Sequence, residues 1–212
     1  NPFSERYSGD VIRSKKFVQY LKKKNSVEVV FLDSINKVTL SNRLISRSFK
    51  RDSILKCLLN ILISFIKFKP LHFGFFNSSE IKEFVSDNYQ NFDIIFCQSI
   101  RSFQFLPDKI NKKIILDMGD LYSKNYYQTF KELSFVNPLK IIYLIESILV
   151  KKYENYCFKT ADKSLLFSKK EINLLKDVKK NKISQINFGI DKISNLYKFS
   201  KNNYKIIFIG NI

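Results

Sequence analysis

KIILDMGDLYSKNY, residues 113–126, decides how this chain is read. Its first four residues, 113–116, are too few for a helix and have the character of a buried strand. The strand emerges at Asp117 into a polar loop that carries Asp120, Ser123 and the pair Tyr126 and Tyr127. In an open α/β sheet, ligands meet the chain just past the carboxyl ends of the strands, so this loop is the first place to look for a site. Asp117 and Asp120 also have a plainer reading, as residues that cap a turn or a helix.

Working outward, the same strand character recurs at 27–32 (VEVVFL), 93–98 (DIIFCQ), 163–167 and 183–187, and in KIIFIGNI at 205–212. Helical spacing fills the gaps. Val11, Phe17, Val18 and Leu21 share a face after Ser8, Gly9 and Asp10. Ile81, Phe84, Val85 and Asn88 follow a capping pattern at Asn77 and Glu80. A long helix starts at Asn137 and Pro138 and runs to about residue 158; its Glu146 and Glu154 could be functional, but Lys151 and Lys152 nearby favour ordinary surface pairs. Ser168 and Glu171 form a capping box for a helix through residue 175. This alternation predicts an α/β fold. The chain looks as if it begins after its first strand, and the last strand, ending at Gly210, as if it opens a second domain.

Of 212 residues, 45% are hydrophobic, enough for a real core and against disorder. Lys and Arg number 37 against 19 Asp and Glu, a formal +18 that favours anionic partners: nucleic acid, an anionic membrane surface or phosphorylated ligands. No helix-turn-helix, RNA-recognition or zinc signature accompanies the charge, so no nucleic acid is expected. Cys57, Cys97 and Cys157 are far apart and contain no CxxC pair, which argues against a disulfide framework or a zinc site and for a reducing cytosol.

Several residues could contact a ligand. A glycine loop opening a helix presents backbone N–H groups to an anion, with Arg13 in the first turn; an ordinary N-cap and a solvated basic face is the alternative. Gln98, Ser99 and Arg101 follow the strand at 93–98, where they could meet a sugar hydroxyl or a phosphate. Arg43, Arg47, Lys50, Arg51 and Lys56 lead into ILKCLLNILISFIKF, which is closed by Lys67 and Lys69 and is too short to span a bilayer. It is either an interfacial helix with a basic collar or a buried core helix with basic ends. His72, the one histidine, sits beside the aromatic run 73–76 and reads as packed, not catalytic.

In their order and spacing, PFSERYSGDVIRSKKFVQYL, DIIFCQSIR, IILDMGDLYSKNY, IESILVKKYE, ADKSLLFSKKE, the GID turn at 189–191 and IIFIGN resemble the N-terminal domain of a bacterial family-four (group 1) glycosyltransferase with the GT-B fold. The exopolysaccharide and lipid-linked glycan sugar transferases are most similar. The resemblance implies a Rossmann-like parallel sheet flanked by helices over residues 1–203, with 204–212 as the first strand of a nucleotide-sugar-binding domain. It implies retaining transfer from a nucleotide-sugar donor to a glycan or lipid-linked acceptor in cell-surface polysaccharide synthesis, with no required metal and no other cofactor. The expected setting is cytoplasmic, peripheral on the inner face of the plasma membrane.

Under this resemblance Ser8, Gly9, Asp10 and Gly210 are donor-phosphate candidates. Arg13, Gln98, Ser99, Arg101, Asp117, Asp120 and Ser123 are acceptor-side or cleft candidates, and Arg43, Arg47, Lys50 and Arg51 are membrane-contact candidates. Gln98 stands at or next to a position where many members have histidine, and Phe188 replaces the asparagine usual before the GID turn. The donor-binding acidic motif of the family is not in these residues, so this chain alone is expected not to turn over. The alternative is a non-catalytic basic α/β domain that binds a ligand or nucleic acid.

Overall fold

The computed structural model describes residue 3 and residues 9–175 and 178–186. One sheet holds β1 (Val27–Asp33), β2 (Lys37–Ser41) and β3 (Leu44–Lys50) in the order β1-β3-β2, with β3 parallel to β1 and antiparallel to β2. The other holds β4 (Ile94–Gln98), β5 (Lys113–Gly119), β6 (Lys163–Leu166) and β7 (Ile183–Gln185), side by side in chain order and all parallel. The helices are α1 (Gly9–Leu21), α2 (Ile54–Ile66), α3 (Leu71–Phe75), α4 (Ser79–Asn88), α5 (Ser99–Phe103), α6 (Tyr122–Glu132), α7 (Leu139–Thr160) and α8 (Lys169–Leu174). Parallel strands joined through helices give a Rossmann-like fold, within the α/β class that the βα alternation predicts.

The core lies around β5. Ile114, Leu116 and Met118 are buried with Ile100 and Phe103 of α5 and with Val150, Cys157 and Phe158 of α7. A strand buried on both faces reads as a near-continuous apolar run, which is why IIL was legible. The strand continues past the point where polarity suggested it would stop. Asp117 pairs in register with Gln98 of β4 and Leu165 of β6, and Gly119 closes the strand at φ 73° after a bulge. The chain beyond it turns helical and does not form an extended polar loop, so that Ser123, Tyr126 and Tyr127 lie in α6.

The segment before α2 also differs from the expectation of a basic lead-in. Residues 37–50 form the β2–β3 hairpin, turning at Arg43, whose φ is 58°. Arg47 and Lys50 therefore belong to a strand, and Arg43 to the turn that leads into it. Arg47 pairs with Glu28 of β1 and stacks on Phe84 at 5.0 Å. The alternation in VTL and LISRSF, around a short Ser-Asn-Arg turn, carries the hairpin signal.

Capping residues shift slightly. Ser78, not Asn77, caps α4 by accepting the Ile81 N–H, while Asn77 donates to Asp52 at 2.5 Å. Ser168 accepts the Glu171 N–H at 3.4 Å, as one half of a capping box. The Glu171 carboxylate is turned instead toward the Leu121 N–H at the start of α6.

α2 packs with the wrong side in for an ordinary amphipathic helix. Cys57, Asn60, Ile61 and Ser64 face the protein, and the large aliphatic residues face out. The close approach depends on Gly74 in α3, where a Cβ would lie 2.6 Å from both the Asn60 carbonyl carbon and the Ile61 Cα. Backbone cannot yield as a side-chain end can. Gly74→Ala is expected to cost about 2–3 kcal/mol in urea unfolding, the overpacking penalty exceeding the gain in helix propensity. A change under about 0.5 kcal/mol would show that the two helices are free to separate.

Among the described residues β1 pairs only with β3, and β4 only with β5. Between these two edges runs an apolar groove of about 540 Å³, walled by α1 residues Phe17, Val18 and Leu21 and by α4 residues Ile81, Phe84 and Val85. Residues 27–32 and 94–98 line it in unbroken succession, so the strands present their edges and not alternate faces. That is the geometry of room for one further strand, and Gln98 and Arg101 are among the residues that line the groove.

Candidate functional site

The carboxyl ends of β4 and β5 and the first turn of α1 converge. Arg13 grips Asp117 with both arms of its guanidinium: Nε donates to Oδ2 at 2.7 Å and Nη2 donates to Oδ1. Both side chains are buried, at 7% and 2% exposure, and Arg13 lies over the Phe167 ring at 4.1 Å. A fork-on-fork pair satisfies the acceptor oxygens that burial would otherwise leave bare. Asp117 is thus the anchor of α1, and Arg13 has its charge compensated from within.

Gln98 is likewise engaged. The Ser14 hydroxyl lies 2.6 Å from both Gln98 Oε1 and the Asp10 carbonyl, and Gln98 Nε2 donates to that carbonyl at 3.4 Å. Two neighbouring strand ends therefore hold the start of one helix, Gln98 from β4 and Asp117 from β5. Gly9 and Asp10 lie at that helix start and are exposed, while Ser8 and the stretch 187–212, with the GID turn and Gly210, lie outside the described residues.

Ser123 sits in the first turn of α6, where Glu154 of α7 takes both its N–H at 3.0 Å and its hydroxyl at 2.5 Å. Leu121, the residue before the helix, has no capping side chain, so carboxylates from α7 and α8 supply the acceptors that the first N–H groups need. Burial pushes the Glu154 carboxyl up to about 7, against the Ser123 hydrogen bonds that lower it. Burial also raises Glu171, with Asp120 adding to the effect.

Glu146, the other helix carboxylate, is buried too. It accepts the Leu71 and His72 N–H groups at 2.8 and 3.1 Å and pairs with His72 Nδ1. Neither glutamate makes a surface pair with a lysine, because α7 lies against α3 and α6 where those lysines do not reach. The expectation that His72 is packed holds: Phe73 meets its ring edge-on at 4.8 Å, and Tyr126 stacks on it at 5.8 Å.

What remains open at the strand ends is a smaller set. Ser99 begins α5 in a left-handed backbone, φ 66°, a conformation that costs a non-glycine residue about 1–2 kcal/mol and recurs at functional sites. Its side chain interacts with Tyr122, whose hydroxyl burial raises, with Arg101 lowering it and Asp10, Ser99 and Asp120 acting around it. Arg101 lies over Phe76 at 4.7 Å and over Tyr122 at 5.7 Å, and its Nε is buried without a hydrogen-bond acceptor. Asp120 is exposed in the chain turn between β5 and α6.

Ser99, Arg101, Asp120, Asp10 and Tyr122 thus gather two exposed carboxylates, one cation with a spare donor and two hydroxyls. Such a set can hydrogen-bond a polyhydroxylated ligand and neutralise one anionic group on it. Tyr122 was missed in the sequence, and Glu154 was read as a surface pair. The aromatic cluster after Asp120 was the available signal for Tyr122; for Glu154 there was none short of knowing what α7 packs against. Among the described residues no group of His, Cys, Asp or Glu could hold a metal ion. No helix among them is long and apolar enough to cross a membrane.

The fold and the strand-end cluster define a Rossmann-like α/β protein with a polar site at the carboxyl ends of its parallel strands. Compared with protein-family models and with curated proteins, the chain matches none.

Proposed function

We propose that this chain is the acceptor-side domain of a retaining glycosyltransferase that transfers a sugar from a nucleotide-sugar to a glycan or lipid-linked acceptor in cell-surface polysaccharide synthesis. The observation that carries the reading is Ser99 in a left-handed turn at the end of β4, with Arg101, Tyr122 and Asp120 gathered in one polar cluster beside it. The ordered motifs that resemble group 1 glycosyltransferases support it. Arg101 and the hydroxyls contact the sugar or its phosphate, and Asp10 and Asp120 accept from ligand hydroxyls. Arg13, Gln98, Asp117 and Ser123 position these groups without touching the ligand.

Charge building on a leaving phosphate is stabilised by fixed cations and N–H groups, so Arg101 is the residue whose loss has most effect. In the complete natural polypeptide, assayed with labelled nucleotide-sugars and a lipid-linked acceptor, Arg101→Ala is expected to lower kcat/KM by about ten- to a hundredfold, with thermal unfolding unchanged. Absence of transfer from every nucleotide-sugar tried, or full activity of Arg101→Ala, would overturn the reading.

A further inference from the structure

The inverted packing of α2 leaves a continuous aliphatic surface. Leu55, Leu58, Leu59, Leu62, Ile63 and Ile66 are all exposed, Leu55 to 77% and Ile66 to 74%. A water-soluble surface normally keeps large apolar patches small, and an extended one marks an interaction face. Phe68 prolongs it. That residue is 65% exposed and held at φ 51°, a left-handed backbone that is unusual for a bulky side chain.

The charge around this face has one sign. From Ser53 to Lys69 there is no acidic residue, while Lys56, Lys67 and Lys69 are all present. Lys82 of α4 faces the same three lysines, and Lys152 of α7 lies over the Phe68 ring at 5.1 Å. The acid beside them, Asp52, is half-buried and occupied by Asn60, Asn77, Ser79 and Lys56. Of the expected collar residues, Arg43 donates to the Lys23 carbonyl, Arg47 pairs with Glu28, and Arg51 lies over Phe75.

We propose that α2 and Phe68 form a membrane-docking face that lies in the interface of an anionic bilayer, with the leucines and isoleucines among the acyl chains and Lys56, Lys67, Lys69 and Lys82 at the lipid phosphates. A protein partner would need acids matched to this set of lysines around an aliphatic ridge. An anionic bilayer offers both chemistries at the right depth. The face is distinct from the strand-end site, so this assignment stands whether or not sugar transfer does.

The test uses the full chain and vesicles of phosphatidylcholine with or without about one third phosphatidylglycerol. The protein is expected to sediment with the anionic vesicles and not with the neutral ones. Joint replacement of Lys56, Lys67 and Lys69 by Glu is expected to lower partitioning on the order of a hundredfold, each lysine near the surface being worth about fivefold. The chain has no tryptophan, so Leu62→Trp gives a single indole reporter on an exposed position. Its emission is expected to move to the blue on anionic vesicles and to be quenched by lipids brominated in the acyl chain. Equal binding to both vesicles, or an indole emission unmoved when the Leu62→Trp variant is bound, would overturn the proposal. So would a Leu59→Glu, Leu62→Glu variant that loses self-association in sedimentation velocity but keeps its vesicle binding, which would assign the face to a second copy.

Discussion

Replacing Asp117 by alanine is expected to lower the unfolding free energy by about 3–5 kcal/mol, measured by urea denaturation. The variant leaves the Arg13 guanidinium buried in the company of Phe17 and Phe167 with its fork empty. Removing one partner of a buried ion pair is costly because the remaining charge has lost its solvent and gained nothing in exchange. The pair itself need not be strongly stabilising. Changing both residues at once, Arg13→Met with Asp117→Leu, is therefore expected to be less destabilising than Asp117→Ala alone. An Asp117→Ala cost near that of an ordinary surface change, under about 0.5 kcal/mol, would show that α1 is not anchored through this pair.

The second large effect is a loss of stability with rising pH. The Glu154 carboxyl holds its proton to about pH 7 in the folded chain, whereas in the unfolded chain it releases it near its ordinary 4.5. Between these values the unfolded state binds fewer protons, so raising the pH favours unfolding. The contribution is complete below about pH 4.5 and is lost as the pH passes 7, a change of about 3 kcal/mol in order of magnitude. Glu171, also raised, acts in the same direction. Asp52 acts oppositely: burial raises its carboxyl, but hydrogen bonds from Ser79 and Asn77 and the charge of Lys56 outweigh that, so its contribution fades only below about pH 3.8. Glu154→Gln is expected to remove most of the slope between about pH 5 and 7, as followed by urea midpoints across that range; an unchanged slope would assign it to other groups.

Asp117 and Glu154 both stand in a sequence context that misleads. Asp117 follows KIIL and stands two residues before Gly119 and three before Asp120, which is the pattern of a strand ending in a polar turn. The strand goes on because Arg13, 104 residues earlier, arrives to neutralise it. Glu154 and Glu146 stand in a helix among lysines, and lysine spacing suggests surface pairs. The burial of the two glutamates comes from α7 crossing the starts of α6 and α3, where their carboxylates meet N–H groups that lack local caps.

The sequence by itself determined the α/β class, the parallel core strands and the helices at 9–21, 79–88 and 139–160, but not the β2–β3 hairpin, α3, α5 or the helix that follows β5. Apolar runs and helical spacing are local properties that survive without knowledge of neighbours. The β2–β3 hairpin was not read from the sequence, its alternation being obscured by its arginines. Only the tertiary structure decided which polar side chains face the open site and which are consumed in holding it. It also decided that α2 turns its leucines outward. A helix that is apolar on most faces carries no instruction about which side to bury, and the contact with Gly74 selects Cys57, Asn60, Ile61 and Ser64 because only a small-residue face can come that close. Ion pairs and helix faces are settled between residues far apart in the chain, and the physics that settles them, burial against neutralisation and volume against volume, acts only once the elements have met.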